Sequence, residues 1–100
     1  MSTDKRYPVN PAFAARAHIN RANYDRMYAA SINDPEKFWG EQADTLLHWF
    51  RKWDTVLDWD FNKAYVRWFE GGQLNVSYNC LDRHLESHGD QVAIIWERDD

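Results

Sequence analysis

Apolar residues recur along this chain at two different spacings, and the change of spacing marks its elements. From Asn20 onward Tyr24, Met27 and Tyr28 fall three and four apart, the period of a helix, and Asn20 is placed to cap it. That helix should stop near Ser31-Ile32-Asn33. Asp34, Pro35 and Glu36 then form a start signal: a capping side chain, a proline at the first helical position and an acid at the positive end. Phe38, Trp39, Ala43, Leu46, Leu47 and Phe50 follow along one side, predicting a helix from Pro35 to about Leu47 or His48. Gly40 inside it costs roughly 1 kcal/mol relative to Ala.

After Phe50 the spacing shortens. Thr55–Trp59 and Ala64–Phe69 are rich in β-branched and aromatic residues, with Asp60-Phe61-Asn62 between them and Gly71-Gly72 after them. This predicts a short hairpin, with Tyr65, Arg67 and Phe69 on one face and Val66 and Trp68 on the other. A third helix is expected from Asn75 or Ser77 to Ser87 or His88, burying Leu81 and Leu85, with Gly89 as a left-handed C-cap. Val92–Trp96 is a near-continuous apolar run, predicting a strand covered on both faces. Residues 1–16 are polar apart from Phe13, and Pro8 and Pro11 disfavour helix, so this stretch is expected to be a mobile tail. The predicted class is α+β: three helices, a small antiparallel hairpin and a terminal strand. The terminal strand has no partner segment after it, which predicts that it opens a larger domain.

Composition narrows the partners. Twelve basic residues against sixteen acidic leave a charge of −4, with no basic stripe, which speaks against nucleic acid or an anionic membrane. One cysteine excludes an internal disulfide framework and fits a reducing cytosol. The first residues lack a signal peptide's apolar core, and no run reaches the roughly 18 apolar residues of a membrane span. The sixteen aromatic residues, six of them Trp, need a surface to bury against. Packing on each other and docking on a neighbour both satisfy that need. Trp39, Trp49, Phe50, Trp53 and Trp68 are the predicted docking surface.

Candidate chemistry is sparse. Cys80, His84 and His88 stand at i, i+4 and i+8, so on one helix they would share a face. A thiol and two imidazoles suit zinc, but successive turns carry the third too far away for all three to hold one ion, so only an adjacent pair could. Cys80 beside His84 also allows a nucleophile–base pair, though no third group to orient it is evident. Glu41 and Asp44 read as a solvated helix face. Neither a glycine-rich phosphate cradle nor a G-x-S-x-G elbow occurs.

Three segments carry a resemblance. They are Ser31–Trp39; Trp68-Phe69-Glu70-Gly71-Gly72-Gln73-Leu74-Asn75; and Asn79-Cys80-Leu81-Asp82-Arg83-His84 with Val92-Ala93-Ile94-Ile95-Trp96-Glu97. In this order, from about Tyr24 onward, they resemble the N-terminal region of the AMP-forming acetyl-coenzyme A synthetases of the adenylate-forming superfamily. Within that resemblance Asn79, Cys80, Asp82, Arg83 and His84 are family-signature residues. The resemblance implies a two-step ligase that uses ATP, magnesium and coenzyme A. It maps no catalytic, cofactor-binding or metal-binding residue onto this chain. It further implies that residues 17–89 form a cap on a nucleotide-binding domain and that residues 90–100 begin that domain.

Three functions compete on the sequence. The first is a structural cap that is inactive alone, partnered by the nucleotide-binding domain of a cytoplasmic synthetase, with self-association through the aromatic surface as a side possibility. The second is a stand-alone adaptor or inhibitor that docks on a full-length synthetase. The third is a small enzyme or metal protein built on Cys80 and His84.

Overall fold

The computed structural model describes residues 7–99. Residues 1–6 of the expected tail, and Asp100, lie outside the described residues. The chain divides into two units, one ending at Phe38 and the other starting at Trp39.

In the first unit, helix α1 is a single turn, Pro11–Ala14. Pro11 was expected to oppose helix there. It instead occupies the first helical position, where its missing N–H costs nothing, and the Asn10 side chain accepts from Ala12 N at 2.9 Å. Helix α2 spans Arg21–Asn33. Asn20 caps it by accepting from Asn23 N at 2.8 Å, as predicted. None of its residues is buried, and its local order comes from exposed pairs: Arg21 with Asp25 at 2.9 Å, and Tyr24 stacked on Tyr28 with centroids 6.1 Å apart. Asp34 ends α2 and begins α3. Its N–H donates to Ala30 O at 3.0 Å, while its carboxylate accepts from Lys37 N at 3.2 Å.

Helix α3, Pro35–Leu46, has the predicted start and stops one residue short of the predicted Leu47. Gly40 now has a packing reason. A Cβ there would lie 3.3 Å from Val56 Cγ2, so the glycine lets the helix approach the hairpin. Strands β1 (Thr55–Asp60) and β2 (Tyr65–Glu70) pair antiparallel, with Leu57 opposite Trp68 and Trp59 opposite Val66. The turn is a short 3-10 segment, Phe61–Lys63. The Asp60 carboxylate caps it, accepting from Asn62 N at 3.0 Å and Lys63 N at 3.3 Å.

The Gly71-Gly72 pair serves the ladder as well as the turn. Beyond it Gln73 bridges back to Arg51, with Gln73 N donating to Arg51 O at 2.9 Å. Gly71 has φ +79°, and a Cβ on Gly72 would meet the Trp49 ring at 2.6 Å, so the indole lies directly on the backbone here.

The predicted third helix is broken into α4 (Val76–Cys80), a 3-10 turn (Asp82–His84) and α5 (Leu85–His88). Of the two caps considered, Asn75 is the one used, accepting from Tyr78 N at 2.9 Å. Leu81, at φ −126° and ψ −67°, interrupts the helix. Hydrogen bonds from Asn79 and Arg83 to other parts of the chain fix the backbone on either side of it. Leu81 and Leu85, expected on a buried face, are exposed, and Gly89 has an ordinary helical φ of −59° rather than a left-handed one.

Val92–Trp96 does not form a strand, and Val92, Ile94, Ile95 and Trp96 are strongly exposed. The sheet of the described residues is the two-stranded β1–β2 hairpin, and neither edge of it pairs with this run. The α+β class holds without that element.

Candidate docking surface

The second unit is built on rings rather than on aliphatic packing. Among the described residues, Ala43 and Asn79 are the buried ones. Trp49, Trp53 and Phe69 pack around one another, with centroids at 4.9 Å (Trp49–Trp53), 5.5 Å (Trp49–Phe69) and 5.2 Å (Trp53–Phe69). Trp49 also donates from Nε1 to Ala43 O at 3.0 Å, a second donor to a carbonyl that already accepts from Leu47 N, which satisfies the indole N–H and ties the ring to the end of α3. Phe50 belongs to a separate group with His48 and Tyr78, at 5.6 and 5.2 Å.

Phe69 breaks the predicted alternation. Its φ of +51° is left-handed, a conformation costly for a bulky side chain. As a result Phe69 and Trp68 do not lie on opposite faces: their centroids are 5.8 Å apart. Together with Trp39 they line an apolar hollow of about 310 Å³. Trp39 and Trp68 meet nearly edge-on, at 6.3 Å and 82°.

The five predicted docking residues therefore divide. Trp39 and Trp68 line the open hollow and are 44% and 45% exposed. Trp49 and Trp53 are half-buried in the unit's own packing, and Phe50 is exposed beside Tyr78. Sequence reasoning missed Phe69, because nothing in the string announces a positive φ. It also missed Trp59 and Phe61, whose rings lie 4.7 Å apart at the hairpin tip.

Of the five residues Asn79, Cys80, Asp82, Arg83 and His84, Asn79 and Arg83 share a mechanical task. Asn79 Oδ1 accepts from His48 N at 2.7 Å, and its Nδ2 donates to His48 O at 2.9 Å and to Asn75 O at 3.0 Å. A buried amide with its acceptor and both donors engaged in this way clasps the segment after α3 to α4. Arg83 adds a second fastener, donating from Nη2 to Leu46 O at 3.0 Å, at the carbonyl end of α3. Its Nε lies 3.3 Å from His84 Nε2. Asp82 opens the 3-10 turn, its carbonyl accepting from Leu85 N.

Cys80 is exposed, at the end of α4. With the helix broken at Leu81, Cys80, His84 and His88 are not the helical stripe that their spacing predicts. They line a shallow hollow of about 310 Å³ with Leu81, Leu85 and Val92. Among the described residues no three His, Cys, Asp or Glu side chains come close enough together to hold a metal ion. No helix of the described residues is long and apolar enough to cross a membrane.

One ionisable group stands out. The Tyr65 hydroxyl donates to Asp58 Oδ1 at 2.8 Å, and this bond, aided by burial, raises its pKa above the usual tyrosine value.

Fold and surface together define a small α+β module whose distinctive chemistry is an exposed aromatic surface. The chain belongs to the family described as acetyl-coenzyme A synthetase N-terminus, whose model matches residues 24–80. It is similar to the acetyl-coenzyme A synthetases of Magnetococcus marinus (59% identical over 99% of this chain) and Halorhodospira halophila (57% over 100%). The synthetase of Alkalilimnicola ehrlichii is 56% identical over the whole chain. The chain spans 15% to 16% of the length of these relatives.

Proposed function

We propose that this chain is the N-terminal structural cap of an AMP-forming acetate–CoA ligase, without catalysis of its own. In the complete enzyme acetate and ATP give acetyl-adenylate and pyrophosphate, and coenzyme A then displaces AMP. ATP, magnesium and coenzyme A are assigned to the remainder of that enzyme. The lack of a glycine-rich phosphate motif in the sequence supports that assignment.

The observation that carries the reading is the open hollow of Trp39, Trp68 and Phe69 in a chain of this family. Large rings left in water on a module this small mark a surface that another body covers. Its partner is the nucleotide-binding domain, with residues 17–89 as the cap and residues 90–100, including the exposed Val92–Trp96 run, supplying a strand to that domain's sheet. The setting is cytoplasmic. The test is pyrophosphate release by the purified chain given acetate, ATP, magnesium and coenzyme A. No release above a protein-free control is expected, and sustained turnover that depends on acetate and coenzyme A overturns the reading.

A further inference from the structure

The hairpin is inside out. In an ordinary two-stranded sheet on a small domain the apolar face is covered and the polar face is wet. Here the register puts Leu57 opposite Trp68 and Trp59 opposite Val66, so these four share one face. On that face Trp59, Val66 and Trp68 are 53%, 47% and 45% exposed. The other face carries Asp58, Asp60 and Tyr65, all half-buried, together with exposed Arg67 and with Val56, against which α3 packs at Gly40. The fold thus half-buries Asp58, Asp60 and Tyr65, with Tyr65 bonded to Asp58 and Asp60 to the turn, and leaves Trp59, Val66 and Trp68 about half in water beside the half-buried Leu57.

The strip is continuous with the aromatic hollow. Trp68 belongs to both, Leu57 and Trp68 lead to Trp59 and Val66, and Phe61 extends the strip to the tip at 4.7 Å from Trp59. We infer that the whole outer face of the hairpin, from Trp68 to Phe61, is a docking strip for the body of the synthetase, in addition to the hollow. The inference rests on the cap reading above and specifies its footprint.

Two observations select the occupant. The similar synthetases place about five-sixths of their length outside the region that this chain matches, so the module is attached to a body several times its size. Leu57, Trp59, Val66 and Trp68 are uncharged, and the one carboxylate in the next pair of that row, Glu70 opposite Thr55, is already engaged by Arg67 at 3.0 Å, so the strip fits an apolar surface rather than an ionic partner. The polar Asp58–Tyr65 face stays outside the contact.

The experiment is hydroxyl-radical footprinting read residue by residue. It compares the free chain with the Magnetococcus marinus synthetase carrying this chain in place of its own matched region. Trp59 and Phe61 should be oxidised about fivefold more slowly in the complete protein, the contrast between a half-exposed ring and a ring in an interface core. Tyr65, on the opposite face, should react at the same rate in both. Protection of Trp39 and Trp68 with Trp59 and Phe61 unchanged overturns the strip and leaves the cap reading standing. Unchanged rates at all four rings overturn both. Protection of Trp59 in the free chain, with sedimentation as a dimer, also overturns the inference, because the occupant would then be a second copy. Equal protection of Tyr65 and Trp59 overturns the facial assignment.

Discussion

The clasp around Asn79 and the outer face of the hairpin use opposite chemistry for opposite ends. At the clasp a single amide satisfies three backbone groups inside the module, and Arg83 satisfies a fourth. On the hairpin face, apolar side chains are held in register by the ladder and left uncovered. The contrast teaches that polar bonds and a small aromatic cluster carry the internal cohesion, while much apolar area points outward. A module arranged this way has a narrow margin of stability on its own.

Substitutions can break that contrast at either end. The largest loss is expected for Trp49→Ala, which removes the ring packed on Trp53 and Phe69 and the bond to Ala43 O. It should cost about 3 kcal/mol, enough to abolish cooperative unfolding by denaturant in a small domain. A retained transition of similar midpoint would move the core elsewhere. Next comes Asn79→Ala, which strands the His48 N–H and C=O. About 1 kcal/mol is expected from losing these part-buried bonds, since His48 is exposed and water reaches part of its backbone, read as a shift of the urea midpoint. Arg83→Ala should cost less, about 0.5 kcal/mol, because its carbonyl partner at Leu46 is exposed and water can replace the guanidinium. If Arg83 matched Asn79 in effect, the clasp would be a two-residue unit rather than one amide with an auxiliary.

The smallest effect is a pH dependence. The Tyr65 pKa is raised in the folded chain, chiefly by its bond to Asp58, so the folded state holds the phenolic proton more tightly than the unfolded one. That contribution is complete below the ordinary tyrosine value of about 10 and is lost as pH rises through the higher folded value. Tyr65→Phe should therefore flatten the alkaline end of the stability profile. Identical slopes for the two proteins above that pH would sever the link to Asp58.

Much of the fold was legible in the sequence because its signals are local. Asn20, Asp34 and Asn75 act as caps within three residues of themselves, and the two strands declare themselves by composition. The break at Leu81 was illegible because its cause is distant: Asn79 answers to His48, and Arg83 to Leu46. Helical spacing alone made Cys80, His84 and His88 a stripe. Val92–Trp96 misled for a related reason, since a strand needs a neighbour and its own residues cannot supply one. Of the surface, Trp39 and Trp68 were legible as large rings in excess of the core. Phe69 and Trp59 became functional candidates only once the register and a positive φ were known.

The left-handed Phe69 ties stability and recognition together at one codon. A glycine there would relax the backbone by about 1 kcal/mol but would remove one ring of the module's own aromatic cluster, a loss of about 3 kcal/mol. The same change would erase the wall shared by Trp49, Trp53 and Trp68. A screen for heat resistance and a screen for assembly with the proposed body should therefore both keep an aromatic residue at position 69.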